Sequence, residues 1–509
     1  MKFVALFPVT ALCAAFMLAS CADTQPQPPA GIPAELREII EANRAIAFPD
    51  FHPDFHDIAS SLLTQDFDAE TFENVSDILR RMRSQNLVNQ HTVYDAADLD
   101  AYITRAEAAW EIRFLFDLLK HAYAGYQYFG GDGVFLPLRD SMLEQLAQMP
   151  DPLQVSSYLR SVLFPAFFGA VTDFHFVING MGIARRQYWP HICEDFTLRR
   201  RNGDNFVVEI DGAAYNVIKT KAACGKPVDG ILPTLTREGE FAWAFGRFAS
   251  VNDLGVEEMS AVLENAATGE RRVLPVSLPR LPLYFPSSEP MFETRMEGDV
   301  MVVVNRTLRG AGSREQFFRL GLDLQNEPAL VLDLRGHRGG NAELARAWVD
   351  GFTRRWPRHD IMLNRFSLES SIAAILHGGT ALPEEAVMPA WVPRDFSQIS
   401  FSVIPNDNLV IVLTDNRVGS AGDMFVGFLR QLENALFVGT NTQGALVTSR
   451  FPTITLPYSG IVIQFGTCLH LRPDLSQFEG RGFMPDLWVP PGESLERVLA
   501  FIERYGLNR

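Results

Sequence analysis

The chain has 509 residues, 47% of them hydrophobic and 21% charged, with a formal net charge of −16. That is enough apolar material for two or three globular domains of roughly 100–200 residues each. The acidic balance argues against a nucleic-acid partner and against a polybasic membrane-binding surface.

Met1 and Lys2 precede an apolar run, FVALFPVTALCAAFMLAS, that stops at Cys21. One basic residue, a short apolar core and small residues before a cleavage point make residues 1–20 a secretory signal rather than a folded helix. Leu18, Ala19, Ser20 and Cys21 match the bacterial lipobox, in which the cysteine is diacylated and anchors the mature chain. An ordinary signal with a chance cysteine is the other reading. Residues 21–34 then form a lipidated Cys21 and a polar, Pro-rich tether. Ala22 follows the cysteine and Asp23 comes one position later, so the aspartate signal for inner-membrane retention is not in place. The expected location is the cell envelope, facing the periplasm, with the outer membrane favoured.

Residues 35–168 read as helical, because IPAELREIIEANRAI, ETFENVSDILRRMRSQ and DLDAYITRAEAAWEIRFLFDLLKHAY carry apolar residues at three- and four-residue spacing. From 169 to 293 the pattern changes to short alternating runs, such as FHFVING, NFVVEIDG and FAWAFGRF, separated by Gly, Asn and Pro: a β-rich middle domain. From 294 to 509 strands alternate with helices, which predicts an α/β domain with crossover helices. DFSQIS at 395–400 reads as a loop. Cys193 and Cys224 fall in the same β-rich region of an exported chain and form the candidate disulfide, with free buried thiols as the alternative. No Cys/His spacing suits zinc, so neither a metal nor another cofactor is expected.

In open α/β sheets, sites gather beyond the carboxyl ends of strands. Two segments end that way. The apolar run LVIVLTD leads into NRVGSAGD, so Ser420 stands where a buried strand gives way to a helix, beside free N–H groups of the first turn. A serine there is either a nucleophile or a helix N-cap. The strand ALVLD leads into LRGHRGG, where Gly339 and Gly340 let backbone N–H groups approach a ligand, or simply make a tight turn. No GxGxxG is formed, which excludes a dinucleotide fingerprint.

The motifs DLRGHRGG and NRVGSAGD…VGTNTQG, in this order, resemble the serine peptidases that include C-terminal processing peptidases and tricorn core proteases. Their recurring pattern is D-[LIV]-R-x-N-x-G-G, S-A-x-E and V-G-x-x-T-x-G. The resemblance implies a crotonase/Clp-like α/β catalytic domain, with Ser420 as nucleophile and an oxyanion hole of Ala421 with Gly339 or Gly340. Asp423 stands where the family has Glu, and His337 where it has Asn. Processing peptidases place a lysine directly after T-x-G; here Ala445 follows Gly444, and no lysine occurs after Lys226. A Ser–Lys dyad is thereby excluded.

The tricorn-like branch pairs serine with a histidine and a glutamate. FFGAVTDFHF resembles its L-x-D-x-H-[TS] segment and assigns His175 as general base, while FEGRGFMPD resembles E-G-x-G-x-x-P-D and assigns Glu479. Without the resemblance, a histidine between Phe174 and Phe176 reads as a core residue, and Glu479 as a solvated loop acid. Phe174 replaces the intervening hydroxyl of that branch, so Glu479 either bonds His175 directly or orients it through another group; Asp173 competes for that role. His191, His377 and His470 sit at no motif position and read as structural, with His470 in reserve.

The leading expectation is a membrane-anchored serine hydrolase that cleaves peptide or protein substrates through an acyl-enzyme. The alternative is a catalytically silent lipoprotein that keeps the fold and binds a peptide or apolar ligand. The middle region carries no PDZ signature such as GLGF, so capture of a free C-terminus is not indicated.

Overall fold

The computed structural model describes residues 31–63, 69–89, 97–201, 203, 205–253, 255–286, 290–310, 312–357, 361–364, 372, 376 and 402–508. The signal, Cys21, most of the tether, His377 and the 395–400 loop lie outside the described residues.

The N-terminal region is helical, as its periodicity predicts. Helix Arg105–Ala122 starts at a capping box between Thr104 and Glu107 and buries Ala108, Ile112, Leu115, Leu119 and Ala122. That spacing of four and three residues defines one apolar face. The face shares a core with Ile454, Ile461, Ile463 and Phe465, more than 300 residues downstream. Buried Glu111 strengthens the junction by accepting the N–H groups of Tyr458 and Ser459, both at 2.8 Å. The helical region is therefore built onto the C-terminal part of the chain.

The middle region forms a seven-stranded sheet in which every pairing is antiparallel. Its order is Arg271–Ser277, Glu258–Asn265, Ala213–Ala222, Phe206–Ile210, Tyr188–Arg200, Phe241–Ser250 and Ile231–Leu235. In Glu258–Asn265 the alternation is plain: Met259, Ala261 and Leu263 are buried on one face. The Cys193–Cys224 disulfide is corrected here, because both thiols are free. Cys193 lies on Tyr188–Arg200 and Cys224 just beyond Ala213–Ala222, and strand Phe206–Ile210 separates those two strands. Two strand spacings of about 4.8 Å exceed the reach of a disulfide.

The C-terminal α/β domain carries a six-stranded sheet, ordered Phe292–Glu297, Val300–Asn305, Ala329–Asp333, Leu409–Thr414, Ala435–Gly439 and Leu487–Trp488. The first pair is antiparallel and the rest are parallel. Its central strands are continuous apolar runs because both faces are covered. Val303, Leu332, Val410 and Val412 pack under helices Arg314–Leu324, Ala342–Thr353 and Ala421–Leu429. Val302, Val331, Ile411 and Val438 pack against helices Ala34–Ala47 and Ser494–Tyr505.

A further sheet joins distant parts of the chain. Its order is Val88–Asn89, Thr453–Thr455, Val462–Gln464, Val177–Ile178 and Met181–Gly182. Gln464 pairs with Val177, two residues after His175. The histidine's turn thus leads into a sheet shared with the C-terminal part of the chain, outside the seven-stranded middle sheet.

Candidate active site

Ser420 lies just beyond the carboxyl end of Leu409–Thr414, immediately before helix Ala421–Leu429. Its backbone has φ 58° and ψ −123°. A serine that only caps a helix sits in the β region, whereas this conformation is costly for any residue with a side chain. The surroundings hold it there. Gly419 donates its N–H to the His337 carbonyl at 2.9 Å, and Gln443 donates to the Val418 carbonyl at 2.7 Å. Buried Asp415 accepts from the N–H of Gly336 at 2.9 Å and of Arg417 at 3.1 Å, tying the serine turn to the glycine loop. Burial pushes its carboxyl up to about 7.

The glycine loop lies directly against the serine. A Cβ on Gly339, whose φ is +85°, would stand 2.8 Å from Ser420 Cβ and 3.2 Å from its Oγ. Only glycine permits that approach. The loop hangs from a buried ion pair: Asp333 receives Arg306 Nη2 at 2.8 Å, and Arg335 Nε at 2.8 Å and Nη2 at 2.6 Å. The aspartate and arginine of the D-x-R motif are therefore structural. His337 is fully buried and accepts the Gly339 N–H on Nδ1 at 3.1 Å, so its neutral form carries the proton on Nε2. Burial pushes this imidazole down to about 4. Gly339's own N–H is thus engaged inside the loop.

Asp423 sits at the motif's glutamate position. Its buried carboxylate accepts three N–H groups: Ser420 at 2.9 Å, Gly444 at 3.0 Å and Ala445 at 2.8 Å. The shorter acid therefore couples the Ser420 turn to the T-x-G loop. Burial raises it to about 6, against the pull of these bonds. The next two N–H groups, of Leu446 and Val447, go to Glu479 Oε2 at 2.7 and 2.8 Å. Glu479 Oε1 accepts the N–H of Phe174 at 2.8 Å.

A direct Glu479–His175 bond, one of the two arrangements expected, is not formed. The carboxylate holds the main chain of the His175 turn instead of its ring. Asp173 acts alike: it accepts the His175 N–H at 2.8 Å, the Tyr123 hydroxyl at 2.7 Å and the Thr448 hydroxyl at 2.9 Å. Burial raises the Asp173 carboxyl, and burial together with the charge of Asp173 lifts Glu479 well above the usual carboxylate range.

The His175 imidazole is stacked on Phe451 with ring centroids 4.2 Å apart. Neither ring nitrogen has a hydrogen-bond partner. Burial, aided by His470 and Arg309, pushes it down to about 3. Arg309 borders the glycine loop, since a Cβ on Gly340 would meet its backbone N at 2.5 Å. His470 Nε2 lies 2.7 Å from Ser449 Oγ, and His191 Nδ1 lies 3.1 Å from the Leu278 carbonyl.

Tyr123, Asp415, Thr448 and Phe451 were not legible as site residues, since none lies at a motif position. A small pocket adjoins Glu479, walled by Tyr128, Leu446, Val447, Leu471, Phe478 and Phe483. Among the described residues no group of three His, Cys, Asp or Glu side chains could hold a metal ion, and no helix is long and apolar enough to cross a membrane.

Residues 302–489 match the family model described as Peptidase family S41. No curated protein matches the chain. Among solved structures, mature CPAF in complex with lactacystin is 16% identical, covering 79% of this chain and 97% of its own, with a TM-score of 0.38. The photosystem II D1 C-terminal processing protease is 13% identical, covering 77% and 97%, at a TM-score of 0.34. The tricorn protease is 14% identical, covering 79% of this chain and 37% of its own, at 0.35. Residues 302–489 thus match a peptidase family S41 domain, the domain of a serine-type peptidase.

Proposed function

We propose that this protein is a lipid-anchored, periplasm-facing peptidase that cleaves peptides through an acyl-enzyme, with Ser420 as nucleophile and His175 as general base. The observation that carries the reading is the backbone of Ser420, φ 58° and ψ −123°, held over Gly339. A strained turn of this kind exposes a hydroxyl beside main-chain donors. Ser420 Oγ attacks the scissile carbonyl carbon as its proton passes to His175. The oxyanion is met by the Ala421 N–H, an orphan donor of its helix, and by the Gly340 N–H, because Gly339 already donates to His337. Collapse expels the amine, which takes the proton from His175, and water hydrolyses the resulting ester by the reverse roles.

Glu479 and Asp173 serve as positioning residues that lock the His175 turn through its amides. An imidazole without a carboxylate partner is a weak base. The negative charge developing at the reacting carbonyl is then what favours its protonation. The same unpartnered ring supports the second reading, a silent binding protein. The lipobox at Leu18 to Cys21 supports anchoring, and palmitate labelling that disappears in Cys21→Ala tests it. A fluorophosphonate probe decides the chemistry. Labelling of the wild type that is lost in Ser420→Ala supports the hydrolase, whereas no labelling between about pH 5 and 9, where an imidazole pushed down to about 3 is neutral, would leave the binding protein.

A further inference from the structure

Strand Phe292–Glu297 is the outer edge of the catalytic sheet, paired on one side only among the described residues. Met291, Phe292 and Met296 are 56%, 44% and 52% exposed. An edge this apolar is a template for another strand.

The ladder fixes which backbone groups are free. Arg306 donates its N–H to the Met291 carbonyl at 2.8 Å. Bonded pairs alternate along an antiparallel ladder, so Glu293, Arg295 and Glu297 bond inward to Val304, Val302 and Val300. The N–H and C=O groups of Phe292, Thr294 and Met296 therefore point outward. We propose that a second copy of this chain pairs antiparallel with this edge about a two-fold axis at Thr294, joining two six-stranded sheets into one of twelve strands.

The side chains choose both the partner and the register. Centred on Thr294, Phe292 faces Met296 of the other copy and Glu293 faces Arg295, each twice. Centred on Glu293 or on Arg295, the axis sets like charges against each other: Glu293 on itself, or Arg295 on itself with Glu293 opposing Glu297. Directly opposed like charges destabilise a ladder, whereas aromatic–aliphatic and Glu–Arg pairs stabilise it. Charges on an edge strand often serve to keep it unpaired. Here opposite signs flank Thr294, so a two-fold axis there sets each of these charges against its opposite. Arg295 already bonds Glu297 at 2.8 Å and Glu293 within its own strand, so pairing extends an existing charge network across the axis. The six outward backbone groups of each strand allow six new hydrogen bonds. Such an interface is small, and the dimer is correspondingly weak.

Sedimentation velocity on the full chain in non-ionic detergent tests this independently of the catalytic reading. The wild type is expected to pass from monomer to dimer over about 1–100 μM, the range of a weak association. Thr294→Pro removes an outward N–H, which an edge position tolerates, and is expected to stay monomeric with an unchanged thermal transition. Arg295→Glu is expected to lose the dimer, and the swap Glu293→Arg with Arg295→Glu to regain it. If Thr294→Pro does not fold, the charge pair decides alone. A wild type that remains monomeric to about 100 μM, an Arg295→Glu variant that dimerises like wild type, or a swap that fails to restore association would each overturn the proposal.

Discussion

Ser420 and His175 are held in place by different means. Ser420 stands at the end of a buried parallel strand, and its turn is braced by main-chain bonds and by Gly339 from the neighbouring strand's loop. His175 lies near the start of a two-residue strand, and its turn is held by Asp173 and Glu479 through the amides of His175 and Phe174. The first half is set by the geometry of an α/β sheet, whose strand ends converge on one edge. The second rests on buried carboxylates, which are costly to desolvate and tolerable only while every bond is made. The nucleophile half should therefore withstand perturbation that uncouples the base half.

Ser420→Ala sets the upper bound, because it removes the attacking atom and leaves the scaffold. A loss of about 10⁴-fold or more in kcat/KM is expected, with the thermal midpoint retained. His175→Gln comes next, at roughly 10²–10⁴-fold, the usual worth of a positioned base. Phosphonate labelling of Ser420 should slow in parallel; labelling at the wild-type rate would remove His175 from the mechanism.

Glu479→Gln sharpens the contrast. The amide nitrogen must face either the Phe174 N–H or those of Leu446 and Val447, leaving a buried donor unmatched. A destabilisation of about 1–3 kcal/mol is expected, with kcat reduced and the pH profile unshifted. A profile displaced by a full pH unit would mean that Glu479 acts on the imidazole itself.

An effect on stability alone, confined to acid pH, concerns His337, held at about 4 in the folded chain against about 6.5 when unfolded. A lowered imidazole pKa means that the unfolded chain binds more protons between those values. Stability is then lost as pH falls through that window, by up to roughly 3 kcal/mol. Asp423, raised to about 6, has the opposite sign and gains stability as it protonates. His337→Asn, compared with wild type by thermal melts from pH 7 to pH 4, should remove the histidine's share of the acid sensitivity. Equal acid sensitivity in the two proteins would mean that the ring protonates freely in the fold.

What was legible in the sequence follows the same division. The strand–turn–helix around Ser420 and the glycine pair at Gly339 and Gly340 are local, so motif and hydrophobic pattern displayed them directly. The departures at His337 and Asp423 read as doubts, yet each side chain accepts N–H groups that hold its loop. The relation of Glu479 to His175 could not be read, because a carboxylate that binds backbone amides places no demand on which residues carry them. Phe174 could therefore stand where a hydroxyl was expected. Strand order was equally hidden, which is why proximity in sequence suggested a Cys193–Cys224 bridge that an intervening strand prevents.

The Phe174–Glu479 bond spans 305 positions. Contacts so distant form late, since the loop-closure entropy must first be met. A chain made in order therefore presents His175 long before the acid that fixes its turn exists. In the proposed mechanism the centre is then a product of completed folding: until Glu479 is in place, the His175 turn lacks the bond that fixes it.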